Sequence, residues 1–181
     1  MLDIKKASIA NAEEIAVLHA LSWQQNYRGS FSDQFLDNEV GEERQKVWRE
    51  RLGNPQPNQS VWVARLNGKF AGFICTFFQD DETYGSLVDN LHVSPKIKGK
   101  GVGSQLLRVA AEEVEQKYPD TGIYLWVLEK NVGAHPFYKA LGGKVIETIN
   151  GNDIGDLEIR KVRYHWKKAQ DLVNSVLAKK N

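Results

Sequence analysis

The sequence predicts a mixed α/β protein, an α+β arrangement with one layer of about seven strands and helices on both faces. Three observations predict it. The elements run strand, helix, helix, several strands, helix, strand, helix and two strands. Asn67-Gly68 is a strong hairpin signal. A long amphipathic helix over 101–118 starts inside a glycine-rich loop. The 181 residues, 41% hydrophobic and 26% charged, suffice for one domain with a sizeable core.

Leu2 to Ser8 alternates as a first strand. Asn11 and Glu14 have the spacing of an N-cap and its capping-box partner, and Ile15, Leu18 and Ser22 or Trp23 follow at helical intervals. A second helical stretch, rich in Arg, Lys and Glu, runs from Glu42 to Leu52, and Gly53 to Asn58 is a loop. Val61 to Arg65 is strand-like, and Phe70 to Gln79 returns as its partner across Asn67-Gly68, since a type I′ turn needs positive φ at both centres. Asp80-Asp81-Glu82 is a polar turn, with enough charge to attract a cationic amine, before a strand over Tyr84 to Val93. In the long helix Val102, Leu106, Ala110, Val114 and Tyr118 form one row, and Pro119 stops it. Ile123 to Leu128 reads as a buried strand and Val132 to Leu141 as a short helix. Lys144 to Thr148 and Leu157 to His165 read as strands, and Leu172, Val173, Val176 and Leu177 mark one side of a C-terminal helix.

A net charge of +1 disfavours a protein that coats nucleic acid. No apolar h-region follows Met1, so no secretory signal is expected, and the longest apolar run, Phe70 to Phe78, is too short to span a bilayer. A cytoplasmic protein without membrane partners is the expectation. Cys75 is the one cysteine, excluding an internal disulfide, and reads as a small buried hydrophobe. The four histidines are scattered without metal-ligand spacing, so no metal is expected.

The chemistry concentrates in Leu91-His92-Val93 and the loop that follows, Lys98-Gly99-Lys100-Gly101-Val102-Gly103-Ser104. Glycines let backbone approach a ligand, and a helix start presents unpaired N–H groups at its positive end, so a diphosphate is the natural guest. Lys96, Lys98 and Lys100 add positive field. A Rossmann fingerprint fails because Ser104 stands where its last glycine belongs, and a P-loop pattern is absent.

The loop resembles the acyl-CoA loop of the GNAT superfamily of N-acyltransferases, Q/R-x-x-G-x-G/A, with Lys98 replacing the usual Arg or Gln. Asn131-Val132-Gly133-Ala134-His135-Pro136-Phe137-Tyr138, running on to Gly142, is similar to the family's second signature, N-x-x-A-x-x-F-Y-x-x-x-G. Ser22 to Gly29 and Tyr164-His165-Trp166 also resemble segments of bacterial members, so the likeness covers roughly residues 2 to 173. Gly143 departs, since the family often has an aromatic residue there.

The resemblance implies a single acyl-CoA N-acyltransferase domain over 1–181, with 166–181 a C-terminal helical extension. It implies a mostly antiparallel mixed sheet whose central strands, ending at Val93 and Leu128, splay apart. Acetyl-CoA is the implied cofactor, its pantetheine arm pairing with backbone of Leu91 and Val93 as an added strand would. His92, the loop from Lys98 to Ser104, Asn131, Ala134 and Phe137 complete its expected site. Tyr138 is implied as general acid to the departing thiolate. Asp89 could take the amine's proton through water, with His92 a weaker candidate. Trp23, Tyr27 and Arg28 lie where similar proteins cover the acceptor. The expected acceptor is an amine of a small molecule or peptide, and the last strands and C-terminal helix offer a homodimer face. A chain keeping the loop without using an acid or base would instead be an acyl-CoA-binding sensor.

Overall fold

The computed structural model describes residues 1–151 and 158–179. Its sheet comprises β1 (Leu2–Lys6), β2 (Gln59–Leu66), β3 (Lys69–Asp81), β4 (Gly85–Val93), β5 (Ile123–Leu128), β6 (Lys144–Gly151) and β7 (Ile159–Trp166). The strands lie in the order β1-β2-β3-β4-β5-β7-β6. Only β4 and β5 run parallel; every other neighbouring pair is antiparallel. Helices α1 (Ala12–Asn26), α2 (Asp33–Asn38), α3 (Val40–Gly53), α4 (Val102–Lys117), α5 (His135–Ala140) and α6 (Ala169–Ala178) cover the faces. Among the described residues no helix is long and apolar enough to cross a membrane.

Side-chain alternation explains the two layers. Along β3, Ile74 and Phe78 join the core under α4, while Phe73, Cys75 and Phe77 join the core under α1 and α3. This burial on both sides is why Phe70 to Gln79 shows so little polar alternation. Along β5, Ile123, Leu125 and Val127 face α4, and Leu128 joins Trp23, Phe31, Leu36 and Ile159 in a third cluster beneath α2. The turn Asn67-Gly68 has φ of 51° and 77°, as its hairpin requires.

Several boundaries differ from expectation for local reasons. β1 ends at Lys6, because Asn11 Oδ1 accepts from the Ser8 backbone N–H at 3.0 Å and closes a 3-10 turn before α1. Glu14 is therefore not a capping-box partner; its carboxylate meets Arg65 at 2.5 Å. α2 went unanticipated: it is six residues long, capped by Ser32 Oγ accepting from the Phe35 N–H at 3.2 Å. The expected start of the last strand at Leu157 lies outside the described residues, and Trp166 still belongs to β7. Ala169, Leu172, Val173 and Val176 of α6 are buried in the core shared with α4, whereas Leu177 of the expected row stays exposed. A Cβ at Gly143 would stand 2.8 Å from Trp166 Cζ2, so the Trp166 ring fills the space a side chain at 143 would need.

Candidate active site

β4 and β5 pair only at Ser86–Ile123, Leu87–Tyr124 and Val88–Leu125. Beyond these residues the strands part. The cause lies on the other edge of β4, where Cys75 pairs with Asn90 but Thr76 with Val88, leaving Asp89 as an extra residue. Such a bulge bends and twists its strand. Arg51, near the end of α3, fixes it: Nη1 donates to Asp89 Oδ2 at 2.6 Å and to Asn90 Oδ1 at 2.9 Å.

A cavity of about 890 Å³ occupies the gap. It brings together Trp23, Tyr27, Asp89, Leu91, His92, Val93, Lys98, Gly99, Gly101, Val102, Gly103, Ser104, Asn131, Ala134, Phe137 and Tyr138. Arg28 and Lys100 are not on its wall. The Arg28 guanidinium binds Asp33 at 2.7 Å and also Asp37, and Lys100 borders a small hollow with Lys69 and Phe70.

The loop before α4 fits an anionic guest. Gly99 and Gly101 have φ of 81° and 73°, and a Cβ at either would meet nothing within 4 Å. Their outer side is open. The first helical bond of α4 runs from the Gln105 N–H to the Gly101 carbonyl, leaving the preceding N–H groups of the helix start outside its ladder.

Tyr138 approaches from α5, its ring 5.7 Å from Tyr164 and 5.1 Å from Phe137. Its hydroxyl makes no hydrogen bond to the described residues. Burial, and then the nearness of Tyr27, push its ionisation well above the ordinary phenol value. Tyr27 is pushed up to about 12 by burial. His92 Nδ1 and Ser22 Oγ share a hydrogen bond of 2.8 Å, and burial, with the positive charge of Arg44 second, lowers this imidazole to about 3. Behind it His19, which accepts from Trp48 Nε1 at 2.9 Å, is likewise driven well below its ordinary value by burial first. Cys75 is fully buried and its thiol is raised to about 12, by burial first and then by Asp89, so it is no nucleophile.

Sequence reasoning missed Ser22, Asn26, Phe31, Tyr124, Trp126 and Lys161 on the cavity wall. The alternation of β5 carried a signal for two of them, since Tyr124 and Trp126 share a face with Leu128. Asp80 lines the rim, where it accepts from the Tyr124 hydroxyl at 2.5 Å. Over this side Lys130 Nζ donates to the Gly29 carbonyl at 2.8 Å, and Gln24 Nε2 to that of Leu36 at 2.9 Å, tying down the segment between α1 and α2. The site therefore offers anion-binding amides, unpaired strand edges, three phenols and an aromatic recess with carboxylates.

Residues 18–143 match the acetyltransferase (GNAT) family. The chain is 36% identical over 84 residues to a histidine N-acetyltransferase of Oreochromis niloticus, covering 45% of this chain and 24% of that protein. It thus spans about a quarter of that relative's length. It is 26% identical over 155 residues to a spermidine N(1)-acetyltransferase of Thermoplasma acidophilum, covering 84% of this chain and 93% of that one. The fold is similar to the crystal structure of a PaiA N-acetyltransferase from Thermoplasma acidophilum in complex with coenzyme A. There the TM-score is 0.70 at 20% identity, over 92% of this chain and 99% of that one.

Proposed function

Because the chain belongs to the acetyltransferase (GNAT) family, we propose that it moves an acetyl group from acetyl-CoA to a primary amine by direct attack. One observation carries the reading: the open amide-bearing start of α4 borders the same gap into which Tyr138 projects. The glycine positions leave room for a diphosphate, and the parted edge of β4 offers backbone at Leu91 and Val93 to an extended arm, so the residues fit the group. Acetyl-CoA supplies the activated acetyl thioester.

The amides of residues 101–104 and Lys98 hold the diphosphate, with Asn131, Ala134 and Phe137 beside the arm. A free alkylamine has a pKa of about 10.4 and must lose a proton to attack. Asp89 takes that proton through a water: Arg51 holds one of its carboxylate oxygens, and the other accepts no hydrogen bond from the described residues. Nitrogen bonds to the acetyl carbon, the carbon–sulfur bond breaks, Tyr138 gives its hydroxyl proton to the leaving sulfur, and the proton that the nitrogen sheds on becoming an amide passes through water to restore Tyr138. Its raised ionisation keeps that proton in place at neutral pH. No acyl-enzyme is needed, and the buried Cys75 could not form one.

Trp23 and Tyr27 wall the acceptor side. The relatives named for histidine and spermidine support a small amine-bearing molecule as the acceptor. The test is thiol release from acetyl-CoA across a panel of amines including these two. At least one amine should give turnover, and Tyr138→Phe should slow it about 10²–10⁴-fold while coenzyme A binding is kept. Absence of saturable coenzyme A binding would overturn the function, and unchanged turnover in Tyr138→Phe the assignment of the acid.

A further inference from the structure

Tyr27, the residue that ends α1, and Tyr138 of α5 come from opposite faces of the sheet. Tyr138 belongs to the core under α4, whereas Tyr27 packs on Trp23 and Phe31 at ring distances of 5.6 and 5.4 Å, beneath α2. An intact sheet would keep them apart. Here both line one cavity, because β4 and β5 separate after Val88 and Leu125.

Neither hydroxyl bonds a described residue. Both residues line the cavity, so each hydroxyl is free to bond what enters it. Of the other polar groups on the acceptor wall, Tyr124 donates to Asp80, Asn26 donates to the Ser22 carbonyl at 2.8 Å, and His92 shares its bond with Ser22 Oγ. Tyr27 is the phenol on this wall left facing whatever enters the gap. In the reaction proposed above, two atoms gain negative charge, the departing sulfur and the acetyl oxygen. Tyr138 serves the first.

We propose that Tyr27 is a second catalytic residue, whose hydroxyl donates to the acetyl carbonyl oxygen and stabilises the charge that grows there as the amine adds. The proton stays on Tyr27, so only the hydrogen bond strengthens and no group is transferred. The thioester then lies between two phenols, one from each face. Burial keeps Tyr27 protonated through the working pH range and so keeps it a donor. The inference rests on the acetyl-transfer reading, and the experiment separates the two.

Coenzyme A, S-ethyl-CoA and acetyl-CoA are titrated into the wild-type protein and Tyr27→Phe without acceptor. Of the three, only acetyl-CoA has a thioester carbonyl. In Tyr27→Phe its dissociation constant should rise about 3–10-fold, while those of the other two stay within about 2-fold. With acceptor present, kcat should fall about 100-fold at constant acceptor KM. The infrared carbonyl stretch of ¹³C-labelled acetyl-CoA bound to the wild type should lie lower than in Tyr27→Phe; were that variant unfolded, Tyr27→Trp replaces it as the reference. Equal weakening of all three ligands, a change confined to acceptor KM, or an unmoved carbonyl stretch would overturn the proposal. Failure of the wild type to bind coenzyme A would instead remove the acetyl-transfer reading itself.

Discussion

Arg51 at the end of α3 lies 2.6 Å from the carboxylate of Asp89, so a helix on one face is tied to the residue at which the sheet comes apart. The same guanidinium sits over the rings of Trp48 and Phe77, at 5.3 and 5.5 Å, and touches Asn90 as well.

Arg51→Met should destabilise the protein by about 1–2 kcal/mol, the worth of a charge-assisted bond discounted because both side chains keep some solvent contact. Urea denaturation measures the loss. Amide exchange should quicken at residues 88–91, and an unchanged exchange pattern would show that the bulge holds without its clamp.

Acid should weaken the fold from a higher pH than carboxylates alone would give. His19 and His92 have depressed values in the folded protein, chiefly through burial, so the unfolded chain binds protons that the native state refuses. Their contribution is complete above the ordinary value of 6.5 and is lost as pH falls below it, down to about 3 for His92. Each histidine adds a slope of up to about 1.4 kcal/mol per pH unit. Thermal midpoints between pH 4 and 7 should therefore rise with pH, and His92→Gln should flatten that rise. An identical slope in the variant would place the linkage elsewhere.

Gly101→Val should cost about 1–2 kcal/mol for a side chain at φ 73°. It should also weaken coenzyme A binding more than 10-fold, by standing on the open side of the loop. Calorimetric titration with a melting curve separates the two effects. Undiminished affinity would put the diphosphate somewhere other than the start of α4.

Much of this was legible because each signal was local. Asn67-Gly68 carries its turn in two residues, and the row from Val102 to Val114 carries α4. The glycine loop and the Asn131–Tyr138 segment line one cavity, a meeting that the family resemblance implied and that no local pattern carries. Orientation was not local. Lys100 and Lys98 are two residues apart, yet they line different hollows because the chain turns between them. Arg28 adjoins Tyr27 but is drawn outward by Asp33 and Asp37, five and nine residues on. The bulge at Asp89 has no glycine or proline to announce it; it exists through pairing with β3 and the reach of Arg51. α2 is too short to show a period.

Cys75 lies in mid-β3, shielded from solvent, and its thiol is held near 12. It is the chain's one sulfhydryl, so an alkylating reagent reaches it when the sheet or the α1–α3 layer over it lets go. Its labelling rate is a built-in clock for such openings beside the gap, and any occupant that braces β4 against β5 makes that clock run slow.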